Sequence, residues 1–170
     1  MSNYFKSVVL FLVVFLCLIS VYWHWGGFRS AEISLSTCND FVLFGVNYIG
    51  TPQDERLGKA FSKVEASRKD LPLSTIYYKE PSGKRDTLHV FIGFEKVYAS
   101  SDSLSWDRVE ISCKRALKAE MRMHRFVMPG PENTKEKIKA FAKEQGVELK
   151  GIFIDKIKGP DWVEVWAPLQ

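Results

Sequence analysis

The sequence predicts an α+β domain of two tandem βαββ repeats: an antiparallel sheet with two helices on one face and a cleft on the other, preceded by one transmembrane helix. Three observations carry this expectation. The pentad Lys59-Ala60-Phe61-Ser62-Lys63 returns eighty positions later as Lys139-Ala140-Phe141-Ala142-Lys143. Each copy follows a strand-like run and a turn, Gly50-Thr51-Pro52 in one and Pro129-Gly130-Pro131 in the other, and precedes two more strand-like runs. An uncharged apolar run opens the chain. Two βαββ units in tandem bury one sheet face against their helices and leave the opposite face free.

The opening run, Ser7 to Trp23, is mostly Val, Leu, Phe and Ile. As a helix it spans about 25 Å, against a hydrocarbon core of about 30 Å. Tyr4 and Phe5 on one side and Tyr22, Trp23, Trp25 and Phe28 on the other extend it with interfacial aromatics. A cleaved signal peptide is the rival, but no small-x-small site follows the run, and Leu18-Ile19-Ser20 fits poorly. Residues 1–28 therefore read as an uncleaved signal anchor. Lys6 and the terminal amine precede the span and Arg29 follows it, a balance of one charge that places the domain on the non-cytoplasmic side. Residues 29–37, with Ser30 to Thr37 rich in Ser and Thr, read as a tether.

The domain then occupies 38–170, with repeat one at about 38–98 and repeat two at about 106–170. Phe41 to Ile49 is rich in β-branched and aromatic residues and reads as a strand. Pro52 and Asp54 open a helix whose apolar stripe is Leu57, Ala60, Phe61 and Val64, and Pro72 ends that segment. Ser74 to Tyr78 and Leu88 to Phe94 read as strands about Pro81-Ser82-Gly83. Ala99 to Ser105 is polar and joins the halves. A long strand runs from Arg115 to about Val127. Asn133 or Thr134 caps the second helix, with Glu136 placed for a capping box on Asn133. Ile138, Phe141 and Ala142 form its stripe, and Gly146 suits its end. Ile152 to Ile157 and Trp162 to Leu169 close the chain about Lys158-Gly159-Pro160.

Period two sorts the last strand into Val163, Val165 and Ala167 on one face and Trp162, Glu164 and Trp166 on the other. The long strand divides likewise, Leu117, Ala119, Met121 and Met123 against Lys118, Glu120, Arg122 and His124. The face without helices is thus both aromatic and ionisable, the composition of a binding cleft.

Composition narrows the function. The 170 residues are 46% hydrophobic, enough for a core, and the net charge of +4 is spread among mixed acids and bases. Such mixing marks solvated helix faces, and no nucleic-acid partner is expected. Cys17, Cys38 and Cys113 show no metal-site spacing with histidine, so neither metal nor other cofactor is expected. Two buried thiols are the expected state of Cys38 and Cys113, with a disulfide the alternative in an oxidising compartment.

Several stretches resemble the GyrI-like small-molecule-binding domain, also the effector-binding domain of multidrug-sensing regulators. Tyr48-Ile49-Gly50-Thr51-Pro52 is similar to the family's strand-end turn before its first helix. Ile76-Tyr77-Tyr78-Lys79-Glu80-Pro81 is similar to its Ile-Tyr-Tyr-Asp-x-Pro signature, with Lys79 where an acid is usual. Ile92-Gly93 stands at its Val-Gly pair. Glu164-Val165-Trp166-Ala167-Pro168-Leu169 resembles its closing Glu-Ile-Tyr-x-Pro-Leu strand. Pro129-Gly130-Pro131 lacks the usual following aromatic. The span before such a domain also resembles an animal ER-phagy receptor. That receptor carries its autophagy motif on a tail beyond the domain, so its role is not expected of a chain ending at Gln170. Without a DNA-binding domain, neither is that of a transcription factor.

The resemblance implies a cleft between the repeats for an amphipathic, aromatic or cationic molecule, with the family's central acid at Glu164. A carboxylate in an apolar cleft favours a cationic partner, and Trp162 and Trp166 supply cation–π faces. The candidate ligand-binding set is Glu164, Trp166, Tyr78, Trp162, His124 and Phe91. For Glu164 the competing reading is a structural pair with Arg122 or Lys118; for His89 and His124 it is a hydrogen-bonded strand histidine. Three alternatives stand beside binding: a protein-interaction module with a vestigial cleft, a small hydrolase using Glu164 with Tyr78, and, more distantly, a SOUL-type haem protein. Catalysis is not the expected role, and no catalytic residue is assigned.

Overall fold

The computed structural model describes residues 3–79, 83, 86–95 and 106–170. The helix α1 (Asn3–His24) is followed by β1 (Glu32–Thr37), β2 (Phe41–Gly50), α2 (Glu55–Ser67), β3 (Leu73–Lys79) and β4 (Leu88–Glu95). The second half holds β5 (Asp107–Ile111), β6 (Arg115–Arg122), α3 (Pro131–Glu144), β7 (Ile154–Gly159) and β8 (Trp162–Pro168). All strands join one antiparallel sheet in the order β1-β6-β8-β7-β3-β4-β2-β5.

The order contains the duplication. In each half the strand before the helix lies outside the two that follow it, and β3 and β7 pair at the centre. With Ile76 set against Lys156 at the pentads' offset of eighty, the pairings Ile76↔Phe91 and Lys156↔Glu164 put Phe91 in repeat one where Glu164 stands in repeat two.

Both helices cover one face. Asp54 caps α2 by accepting from the Arg56 amide at 2.8 Å. Ala60 and Val64 of α2 are buried, and Leu57 and Phe61 pack beside them on Tyr48, Val90 and Ile92. Ile138 and Ala142 of α3 pack on Leu117, Ala119, Met121 and Val165, with Phe141 alongside. The two-face division of β6 and β8 is therefore as expected through Arg122.

Four expectations are corrected. Glu32–Thr37, read as tether, is the edge strand β1, paired with β6 from Glu32↔Glu120 to Thr37↔Arg115. Its half-exposed residues gave no alternating signal. The long strand stops at Arg122, because Met123 and Arg125 donate their amides to the carbonyl and carboxylate of Asp161 and the 124–128 segment turns on His124. The second helix starts at Pro131 with Gly130 as N-cap and no side-chain cap bond. Thr134 instead turns its hydroxyl back to the Gly130 carbonyl at 3.2 Å and is fully buried. The short strand β5 lies between the linker and the long strand, where the sequence predicts no element. The linker Ala99–Ser105 and the residues Glu80, Pro81 and Ser82 lie outside the described residues.

The leading strands are exchanged. β1 precedes β2 yet pairs with β6, and β5 precedes β6 yet pairs with β2. Strand order puts β1 and β2 six spacings apart, about 29 Å in a flat sheet at about 4.8 Å each. The connection from Thr37 to Phe41 spans at most about 14 Å. The same argument holds from Ile111 to Arg115. The sheet must therefore curl until its ends meet over the helix-free face. There Cys38 and Cys113, one in each connection, form a disulfide with a Cα–Cα distance of 5.6 Å. The expected pair of thiols is thus replaced by a bridge: the exchange brings two residues 75 apart into contact, a proximity no local pattern encodes.

Candidate functional site

The curled, helix-free face has a closed end and an ionic end. Beside the disulfide, Leu43, Ile76, Phe91, Ile111, Ala116 and Ile154 pack into one apolar cluster with Phe41 and Cys113. Next to it a row of side chains crosses the whole sheet: Glu32, Glu120, Glu164, Lys156, Ser74, Gly93, Gly45 and Asp107, each paired with the next. The two glycines are required by close backbone approach. A Cβ on Gly45 would lie 2.0 Å from the Ile92 carbonyl oxygen, and one on Gly93 2.5 Å from that of Phe44.

Glu164 is 3% exposed. Lys158 donates to its Oε1 at 2.6 Å and the Trp166 indole to its Oε2 at 3.0 Å. Its partner is thus Lys158, two strand positions beyond Lys156, and neither Arg122 nor Lys118. Those two serve Glu120, at 2.6 Å from Arg122 Nε and 3.0 Å from Lys118 Nζ. The Arg122 hydrogen bond first, then that of Lys118, holds the Glu120 carboxyl below its usual value.

Lys156, 8% exposed, reaches along the sheet to Glu95 Oε1 at 2.5 Å. Its ammonium lies 4.4 Å from the Phe41 ring centre and 5.3 Å from that of Trp166. Trp162 carries Arg122 at 4.2 Å and Lys158 at 4.6 Å over its ring. The aromatic faces expected to hold a ligand cation thus hold the chain's own cations. Among the described residues, the buried Ser74 hydroxyl and the Trp162 indole nitrogen have no hydrogen-bond partner.

A hollow of about 500 Å³ opens between the crossing connections and this row, lined by Cys38, Asp40, Phe41, Glu95, Lys156 and Trp166 among others. Of the expected set, Glu164, Trp166 and Trp162 gather on the ionic half. Phe91 shares the face but is wholly buried in the apolar cluster. Tyr78 lies at the far end of β3, 47% exposed, with its ring 4.7 Å from His89. Partial burial raises its phenol above the ordinary value. His89 bonds Asn47 Oδ1 at 2.9 Å, the structural role expected of it.

Two expected members do not join the rest. Ser74 shares the row of Glu164 two strands away, and Tyr78 lies four residues further along β3. Glu164 and Tyr78 are therefore about 16 Å apart between α-carbons, from spacings of about 4.8 Å across and 3.3 Å along. They do not meet as an acid–base pair. His124 lies beyond the end of β6, where the two-residue period no longer applies, and stacks on Trp25 at 4.7 Å. Lys156, Lys158, Glu95, Phe41 and Ser74 are the members missed from sequence. Lys156 pairs with Glu164 across the sheet, but nothing local to β7 marks its charge as turned inward to Glu95. Among the described residues no group of His, Cys, Asp or Glu is arranged to hold a metal.

No family model matches the chain, and no curated protein matches it by sequence. Solved structures do share its architecture. A hydrolase from Listeria innocua superposes with a TM-score of 0.60 at 10% identity, over 84% of this chain and 93% of that one. The C-terminal domain of EcmrR does so at 0.57 and 12%, over 84% and 99%. SAV2435 bound to tetraphenylphosphonium gives 0.57 and 12%, over 82% and 94%. At such identity the likeness is one of fold: these proteins and this chain share a duplicated βαββ sheet, consistent with the GyrI-like fold that the motifs resemble.

Proposed function

We propose that the domain binds a small amphipathic aromatic molecule on its helix-free face, beside a membrane that α1 crosses. The observation that carries this is the hollow of about 500 Å³ flanked by Phe41, Trp166 and the Lys156–Glu95 pair. Its size suits a small ligand, and its walls offer two ring faces, a buried cation and a carboxylate. A ligand ring stacks on Trp166. A ligand cation reaches Glu164 only by displacing Lys158, so cationic amphiphiles compete with the chain's own lysine. That SAV2435, a protein of this fold, is bound to tetraphenylphosphonium supports aromatic cations as the first class to try.

The second reading is a protein-interaction module. It is favoured by one observation: the buried Glu164 and the partly buried Glu120 already hold internal cations. A hydrolase pairing Glu164 with Tyr78 has no such support, given their separation.

The anchor is supported by Phe5–His24, twenty residues of mean hydropathy 2.5 with none of the window buried. The 22 residues of α1 span about 33 Å, the hydrocarbon thickness. The Cys38–Cys113 bridge supports placing the domain in an oxidising, non-cytoplasmic compartment.

A thermal-shift screen of the full chain in nanodiscs tests the binding reading. A ligand at one hundred times its dissociation constant stabilises by about 2.7 kcal/mol. Glu164→Gln is expected to lose response to cations and keep response to neutral aromatics. If no aromatic compound shifts the wild type, the interaction module takes its place.

A further inference from the structure

We propose that the foot of α1 and the loop after β6 form one membrane-docking surface that seats the domain in the headgroup layer of the bilayer. This rests on the reading of α1 as a membrane span. Trp25 lies one residue past α1, so a span ending at His24 holds that indole at the interface. The domain is tied to it directly. The His124 amide donates to the Trp25 carbonyl at 3.0 Å, and the two rings stack at 4.7 Å and 17°. Arg29 donates from Nη1 to the Arg122 carbonyl at 3.3 Å. Gly26, at φ +81°, turns the chain so closely that a Cβ there would sit 3.2 Å from Met123 Cβ. These contacts fix the 124–126 segment against the helix end, and the edge strand β1 replaces any slack between them.

The side chains at this junction have the composition of an interfacial belt. Trp23, Phe28 and Phe126 are 72%, 70% and 71% exposed, the largest exposures among the aromatic residues described. The Phe126 ring centre is 5.9 Å from that of Trp25. Each headgroup layer is about 5–8 Å thick, so a ring this close to the end of the span falls within it. The Arg125 guanidinium sits 5.2 Å from the Phe126 ring, the pairing of an apolar body with a charged head that suits that depth. Phe28 and Arg29 also line a hollow of about 620 Å³ shared with Glu120 and Arg122, whose opening then lies at headgroup level.

The test uses the full chain carrying Cys17→Ser, so that the added cysteine is the one free thiol. Phe126→Cys or, as a control at the far end of α3, Lys143→Cys is labelled with an environment-sensitive fluorophore. Each protein is reconstituted in phosphatidylcholine vesicles containing lipids spin-labelled near the headgroup. Flotation is scored in parallel, and the Cys38–Cys113 bridge on non-reducing gels reports folding. The expected result is flotation, a blue-shifted emission at position 126 and loss of most of it to the quencher, with position 143 unaffected. A protein that floats with its bridge intact, yet whose label at 126 is as unquenched as that at 143, overturns the docking surface and leaves the anchor standing. A protein that fails to float overturns the anchor and the docking surface together.

Discussion

Lys158→Met isolates the electrostatics of the site. The Lys158–Glu164 contact is 2.6 Å, with the carboxylate side chain 4% and the lysine 28% exposed. At an effective dielectric of about 20 the bare attraction at that distance is about 6 kcal/mol, and desolvating two charges offsets most of it. Removing the lysine leaves a buried carboxylate with the Trp166 indole as its remaining hydrogen-bond donor among the described residues. Breaking a buried pair costs about 3–5 kcal/mol, and the partly exposed lysine places this one near the lower figure. Urea unfolding of the full chain in detergent reads the change. Lys158→Met is expected to lose about 3 kcal/mol, and the double variant Lys158→Met/Glu164→Leu to regain most of it. Tetraphenylphosphonium is expected to stabilise Lys158→Met more than the wild type, because the vacated carboxylate accepts a foreign cation. A loss below about 1 kcal/mol would place the pair among ordinary surface salt bridges and refute the reasoning.

Four further outcomes follow from the geometry. The Glu120 carboxyl is held below its ordinary value by Arg122 and Lys118, so its stabilisation is present above the unfolded value of about 4.3 and lost as pH falls through the folded one. Wild type should therefore lose stability more steeply than Glu120→Gln between pH values of about 5 and 3, and parallel curves contradict this. Replacing Cys38 and Cys113 by serine opens a loop of 75 residues and should cost about 4 kcal/mol in the chain-entropy account, read by thermal unfolding. Gly45→Ala drives a Cβ to 2.0 Å from the Ile92 carbonyl and should cost about 3 kcal/mol or more. Gly58→Ala, in α2 with nothing within 4 Å of the new atom, should gain up to about 1 kcal/mol.

What was legible in the sequence was what is periodic. The stripes Leu57-Ala60-Phe61-Val64 and Ile138-Phe141-Ala142 found both helices, and alternation in β8 found Glu164 and its flanking indoles. What was illegible depends on partners distant in sequence. β1 is read as a tether because its faces are only half-buried, and its place beside β6 is set by the strand exchange. The disulfide follows from the same exchange. Lys156 and Lys158 lie in a run that alternates with Ile157, and alone it gives no sign that their charges are turned inward to Glu95 and Glu164. His124 falls on the face of Glu120 only if the two-residue period is carried two positions past the end of β6.

Calorimetric titration of the full chain in nanodiscs, with tetraphenylphosphonium and with a neutral aromatic amphiphile, tests the binding account most directly. Trp166→Ala is titrated beside the wild type. Saturable binding of at least one compound to the wild type is expected. Loss of the Trp166 ring face should then weaken it by about tenfold, or about 1.4 kcal/mol, within the range of a desolvated aromatic contact. Binding of equal strength to both proteins, or to neither, would contradict it.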